Sequence, residues 1–207
     1  GSLLDSPNSI INSYVVTEYL GYDPIDERIK KINSVTKDMI IEMNKILKRN
    51  TSDEENPRYN VGGFKVVPNI IGVVNIVNTT APDDVEEEID DLLQQYNSKT
   101  KITLEDIIDF HFRFERIHPF GDGNGRTGRM IMFKQCLQNS HIPFVLLDRD
   151  RAFYLRGLKE WDFERNYLID TLLTQQDVYA SVCEQFDIFK DFGQKEMSKN
   201  KIVDEND

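Results

Sequence analysis

The residues best equipped for chemistry lie in one run, His118-Pro119-Phe120-Gly121-Asp122-Gly123-Asn124-Gly125-Arg126-Thr127-Gly128-Arg129. Gly121, Gly123 and Gly125 alternate with Asp122 and Asn124, and an apolar helical stretch follows from Met130. Glycine lets backbone N–H groups turn toward one point, and a helix N-terminus adds a positive dipole end. The pair forms a cradle for phosphate. Arg126 and Arg129 are three apart, so one helix face carries both toward the same anion. Asp122 is a hard oxygen ligand, suited to a Mg²⁺ that travels with phosphates. His118 can take a proton near neutral pH. A base, a metal ligand, an anion cradle and two cations are what moving a phosphate-containing group onto a hydroxyl requires. Glycine-rich loops before helices are often no more than capped turns, but here five polar functional residues crowd one junction. No Gly-Lys-Ser/Thr follows, so it is not a Walker A loop, and the charge order is wrong for a dinucleotide fingerprint.

Mostly helical elements must hold this run in place. Asp23-Pro24 reads as a helix start, with Ile25, Ile29, Ile32 and Val35 as its stripe. Thr36 caps the next helix, over Met39-Ile40, Met43 and Ile46-Leu47. Thr80 to Asp84 opens a third, burying Val85, Ile89, Leu92-Leu93 and Tyr96. Thr103 caps a fourth, ending at Ile117, in which His111 is expected to be a satisfied core histidine. The motif helix is predicted from about Arg126 to Gln138, with later helices near 151–161 and 167–186. Residues 59–80 differ: they are β-branched and punctuated by glycine, which predicts a hairpin or extended flap. Such a hairpin must lean on helices, and its edge could either be structural or receive an extended peptide. The fold is therefore expected to be all-α with a small β-hairpin.

The run resembles the signature of the Fic family, His-x-Phe-x-(Asp/Glu)-Gly-Asn-Gly-Arg-x-x-Arg. His118, Phe120, Asp122, Gly123, Asn124, Gly125, Arg126 and Arg129 match every fixed position. The Doc branch, with Lys at the place of Gly125, fits less well. The resemblance extends from about Thr36 to Phe186 and implies a Fic-like helical bundle with the hairpin flap beside the active-site loop. It divides the chain into an N-terminal helical segment (1–35), the Fic domain (36–189, flap about 59–80, motif 118–129) and a polar tail (190–207). It implies transfer of AMP from ATP to a Ser, Thr or Tyr hydroxyl of a target protein, or of the chain itself. In that reading His118 is the general base and Asp122 holds Mg²⁺ across the α- and β-phosphates. Gly121, Gly123, Asn124 and Gly125 cradle those phosphates, Arg126 neutralises the β-phosphate and Arg129 the γ-phosphate. Phe120 anchors the loop in the core. The flap covers the nucleotide and holds the target segment at its edge, with Asn69, Ile70, Ile71 and Gly72 as the nucleotide-facing portion. Tyr154 and Trp161 are candidates for the adenine pocket, or else for ordinary helix packing.

Many members of that family are silenced by a segment of pattern (Ser/Thr)-x-x-x-Glu-(Gly/Asn), whose Glu pairs with the second motif arginine, here Arg129. Thr51 to Asn56 fits formally but lies in a polar loop, and Glu205-Asn206 lacks the Ser or Thr. Pro7 to Asn12 is the best placed, with Pro7 at the Ser position and Ile11 at the Glu position. An Ile cannot compete with phosphate for Arg129. Inhibition would then fall to an antitoxin-like partner, or be absent. The competing functions are a nucleotide-binding adaptor without transfer, and transfer or removal of another nucleoside monophosphate.

Composition sets the outer bounds. The 207 residues fit one domain, and 39% hydrophobic content can fill a core. A net charge of −11 argues against a nucleic-acid partner. Two cysteines, Cys136 and Cys183, make no disulfide framework, which points to a reducing cytoplasm. No apolar run reaches membrane-span length, so no membrane partner is expected. Gly1-Ser2 reads as a tag remnant, with the native start expected upstream.

Overall fold

A computed structural model describes residues 34–71 and 77–185. Among them are six α-helices and one two-stranded antiparallel hairpin: α1 Lys37–Lys48, β1 Ile70–Ile71, β2 Val77–Asn78, α2 Val85–Asn97, α3 Leu104–Ile117, α4 Asn124–Gln138, α5 Arg151–Glu160 and α6 Asn166–Gln185. The architecture is all-α with a small hairpin, as the periodicity predicts. The Pro7–Asn12 segment, the Asp23–Pro24 helix start, Gly72 and the polar tail lie outside the described residues.

Local chemistry explains the helix boundaries. The Thr36 hydroxyl accepts from the Met39 N–H at 3.2 Å and starts α1. Thr103 and Asp106 form a reciprocal capping box that starts α3. Pro82 to Asp84 make a 3₁₀ turn before α2, so that helix begins slightly later than its sequence signals suggest. The hairpin is shorter than expected. Residues 59–67 form turns rather than a strand, with Asn60 at φ 46° and Gly62 at φ 94°, and among the described residues pairing is confined to Ile70 with Asn78 and Ile71 with Val77.

Helices α3 and α4 pack together at the centre, with α2 against α3, α1 against α4, and α5 paired with α6. Ile40, Met43, Leu47, Ile89, Leu92, Ile107, Ile108, Phe114, Ile131 and Leu168 are the fully buried heart of the core. Burying each such side chain stabilises the fold by roughly 1.5–3 kcal/mol. Gly157 lets α5 touch α6, since a Cβ there would lie 2.6 Å from the Leu168 Cα. No described helix is long and apolar enough to cross a membrane.

Candidate active site

The site is built on the turn between the two central helices. Helix α3 ends because His118 adopts the left-handed conformation, φ 53° and ψ 59°. Its N–H still donates to the Phe114 carbonyl at 3.0 Å. The chain reverses through Pro119 to Gly123, and Gly123, at φ 83°, caps α4. Phe120 anchors this loop as expected: it is buried, with ring contacts to Phe64 at 5.8 Å and Phe114 at 6.5 Å. Gly121 admits the neighbouring loop, because a Cβ there would meet the Tyr59 backbone at 2.8 Å.

Asn124 departs from its expected role. Its Oδ1 accepts from the Phe120 N–H and its Nδ2 donates to the Phe120 carbonyl, both at 2.8 Å. The amide is buried and engaged at both ends by its own loop, so it shapes the cradle.

His118 is half-buried, and its Nδ1 faces the Glu115 carbonyl at 3.1 Å. A carbonyl only accepts, so Nδ1 carries the proton and the lone pair is on Nε2. Burial, with help from the Lys65 ammonium, holds the imidazole below its ordinary value of 6.5, outweighing the Glu115 hydrogen bond and the Asp122 charge. At neutral pH the ring is uncharged and can accept a proton.

Asp122 lies at the outer lip, with its side chain 47% exposed. Its Oδ2 accepts from Lys48 Nζ at 2.5 Å and from Arg126 Nη2 at 3.2 Å. Burial pushes this carboxyl up, but Lys48 first, then the Gly123 N–H and Arg126 outweigh it and hold the group below the usual carboxylate value. Lys48 also pairs with Asp53, and Asn44 on the same helix donates to the Asp122 carbonyl at 3.0 Å and to Thr127 Oγ1 at 3.3 Å. Helix α1 therefore holds the metal-ligand candidate from behind. Among the described residues no three His, Cys, Asp or Glu side chains gather as a metal cage. A lone ionised carboxylate fits a Mg²⁺ that draws most of its ligands from phosphate and water; it does not fit a dedicated protein-only metal site.

The flap is joined to the motif loop at its base. The Lys65 N–H donates to the Pro119 carbonyl at 2.8 Å. Buried Lys65 Nζ donates to Asn69 Oδ1 and Thr79 Oγ1, each at 2.8 Å, and to the Ile117 carbonyl at 3.2 Å. Burial lowers this ammonium to about 8. Asn69 Nδ2 donates to the Phe120 carbonyl at 2.8 Å. Asn69 thus does reach the motif loop, but as a brace. Ile70 is exposed and Ile71 half-buried in β1 beyond it.

Arg126 turns back to Asp122 in the motif loop, whereas Arg129 meets the core. Its Nη1 is 3.0 Å from where a Gly125 Cβ would be, beside Glu115. Tyr154 and Trp161, expected either at the adenine pocket or in helix packing, are both buried. Tyr154 hydroxyl is 2.7 Å from His111 Nε2, and Trp161 stacks on Phe112 at 5.2 Å. Both rings are spent on core partners in place of an open pocket wall. Sequence reasoning missed Asn44, Lys48, Lys65 and Glu115. Lys48 and Lys65 gave no signal in a charged chain. Glu115 did give one, a carboxylate amid the aromatic face of α3.

A family model described as Fic/DOC family matches residues 34–136. A probable protein adenylyltransferase of Aquifex aeolicus is 30% identical over 94 residues, 45% of this chain and 29% of that protein. The protein adenylyltransferase Fic of Nematostella vectensis is 29% identical over 136 residues, 64% of this chain and 30% of that protein. The chain thus spans under a third of the length of these curated relatives. Among solved structures, a Fic domain containing signaling protein from Bacteroides thetaiotaomicron superposes with TM-score 0.69 at 20% identity, over 94% of this chain and 75% of that one. Fic-1 from Caenorhabditis elegans gives 0.68 at 19% identity, over 92% and 55%.

Proposed function

We propose, for a chain whose residues 34–136 belong to the Fic/DOC family, that it transfers AMP from ATP to a Ser, Thr or Tyr hydroxyl of a protein. The observation that carries this reading is the neutral His118, its Nδ1 turned to the Glu115 carbonyl, beside a glycine-capped helix start that carries Arg126 and Arg129. Relatives named protein adenylyltransferases support it.

In this mechanism the target hydroxyl gives its proton to His118 Nε2 as its oxygen bonds to the α-phosphorus. The bond from that phosphorus to the bridging oxygen breaks, and pyrophosphate leaves. The N–H groups at the start of α4, with Arg126 and Arg129, bind and orient the phosphates, so positioning and charge carry most of the rate. Asp122 would hold Mg²⁺, which when bound neutralises charge on the phosphates. The exposed edge at Ile70 is the surface on which the flap would hold an extended target segment.

The test is incubation with α-³²P-ATP and Mg²⁺, with and without cell lysate, beside His118→Ala. Labelling of a protein should fall by about 10²–10⁴-fold in the variant, with ATP affinity and thermal stability retained. ATP binding by the wild-type chain with no label on any protein would favour the adaptor instead. Equal label from both chains would remove His118 from the base role.

A further inference from the structure

Lys65 carries a buried ammonium that the proposed transfer does not use. It stands between the flap and the motif loop, and its three N–H bonds meet three oxygens. Two belong to the flap, Asn69 Oδ1 and Thr79 Oγ1, each at 2.8 Å. The third is the carbonyl of Ile117, the last residue of α3, at 3.2 Å. An ammonium has three donors and no acceptor, so these partners satisfy it. All three are neutral. Burying a charge among neutral acceptors is costly, and an apolar side chain would fill the same space without that cost. Stability alone therefore does not explain a lysine at this position.

The contacts divide into two sets. One set holds both feet of the hairpin. Asn69 immediately precedes β1 and Thr79 immediately follows β2. The Thr79 hydroxyl accepts from Lys65 and donates to Asn69, whose carbonyl lies 2.8 Å and whose Oδ1 lies 2.6 Å away. The other set holds the turn that carries His118. Lys65 Nζ donates to the Ile117 carbonyl, the Lys65 N–H to the Pro119 carbonyl at 2.8 Å, and Asn69 Nδ2 to the Phe120 carbonyl at 2.8 Å. The flap base thus ties down the backbone on both sides of His118. That residue is left-handed at φ 53°, a conformation that a non-glycine residue keeps only where its surroundings over-determine it. Lys65 joins the two sets through one side chain.

We infer that Lys65 is a positioning residue: it fixes the feet of the flap to the His118 turn, and so sets where a target hydroxyl held on the flap edge meets His118 Nε2. The exposed edge begins at Ile70, one residue beyond Asn69, so a shift of that foot carries the edge with it. The inference rests on the reading of His118 as general base for a segment held at that edge. It divides the labour of the site: the flap base aligns the acceptor, and the start of α4 binds the phosphates.

Labelling of lysate proteins from α-³²P-ATP tests it, beside ATP affinity by calorimetry with Mg²⁺ and the ring nitrogen chemical shifts of His118. Lys65→Met keeps a long unbranched stem and removes the donors. It should cut the initial labelling rate by about 10–100-fold, the scale of a misplacement near 1 Å, and leave ATP affinity unchanged. In the wild-type chain the ring shifts should show one neutral tautomer, protonated at Nδ1; in Lys65→Met they should show a mixture of the two. Thr79→Val removes a single acceptor and should lower the rate several-fold, which keeps the test decisive should Lys65→Met fail to fold. If the variants label like the wild type, or lose ATP affinity in step with labelling, the flap base does not align the acceptor, and the inference falls while the transfer reading stands. If the wild-type chain labels no protein, the transfer reading falls and takes the inference with it.

Discussion

Two carboxylates flank the motif loop, and their surroundings drive them in opposite directions. Asp122, at the outer lip, meets Lys48 and Arg126 and is held below its ordinary value. Glu115, at the inner wall, lies in the core beside one cation and is pushed up to about 7. At the outer end each charge has a direct ionic hydrogen bond, and the Asp122 carboxylate also reaches solvent. The inner end relies on close packing, two glycines and a single opposite charge. A site that must bind a highly charged ligand and still remain folded divides these tasks. The lip stays ionised to meet cations, and the wall stays nearly dry and closely packed.

The sharpest way to separate the two ends is pH. Glu115 in the folded chain titrates above its unfolded value of 4.5, near 7. The folded state therefore binds more protons between those values, and stability falls as pH rises through that window. The size is on the order of 3 kcal/mol. Asp122 has the reverse sign: its contribution is present above 3.8 and is lost as pH falls through its lowered folded value. Urea unfolding from pH 3 to 8 should thus show a decline at both ends. His111 and His118, both held below 6.5 by burial, add to the loss on the acid side, so Glu115→Gln should remove the fall with rising pH on the neutral side, and Asp122→Asn should remove only part of the acid-side loss. A neutral-side decline that survives Glu115→Gln would show that another group causes it.

Close packing at the inner wall gives a second test. A methyl group at Gly128 would come within 2.8 Å of Glu115 Oε1 and 3.0 Å of Phe114 Cδ1. Gly128→Ala should lower stability by about 1–3 kcal/mol through overpacking, read as a lower urea midpoint at constant slope. At Gly125, the nearest atom to an added Cβ is the end of the flexible Arg129 side chain, at 3.0 Å. Gly125→Ala should therefore cost less stability than Gly128→Ala.

The lip was far more legible in the sequence than the wall. Spacing alone brought His118, Asp122, Arg126 and Arg129 to one turn, because all lie within twelve consecutive residues. Thr36 and Thr103 declared their helices because capping is local. The residues behind the site come from distant segments. Lys48 reaches Asp122 across 74 positions, Lys65 reaches the Ile117 carbonyl across 52, and Tyr154 reaches His111 across 43. No local pattern encodes such pairings, so Lys48 drew no reading and Tyr154 stayed open between the adenine pocket and helix packing. The Asn124 contacts were hidden for a related reason: the sequence shows an amide beside a cradle, but not that it hydrogen-bonds the Phe120 N–H and C=O. The hairpin was overextended because β-branched residues predict strands even where, as at Asn60 and Gly62, backbone turns intervene.

The smallest expected effect lies at the lip. Lys48 is a nearly buried ammonium shared between Asp53 and Asp122. Removing a buried partner usually strands the remaining charge. Here the Asp122 side chain is 47% exposed and can rehydrate, so Lys48→Met should cost about 1 kcal/mol or less. Its clearer mark should be on titration. Lys48 is the first of the groups holding Asp122 down, so the Asp122 carboxyl should rise in the variant when followed by carbon-detected NMR. The Glu115 titration should not move, since Lys48 is not among the groups that shift it. A large loss of stability, or a Glu115 titration that moves with Lys48, would mean that lip and wall act as one electrostatic unit rather than two.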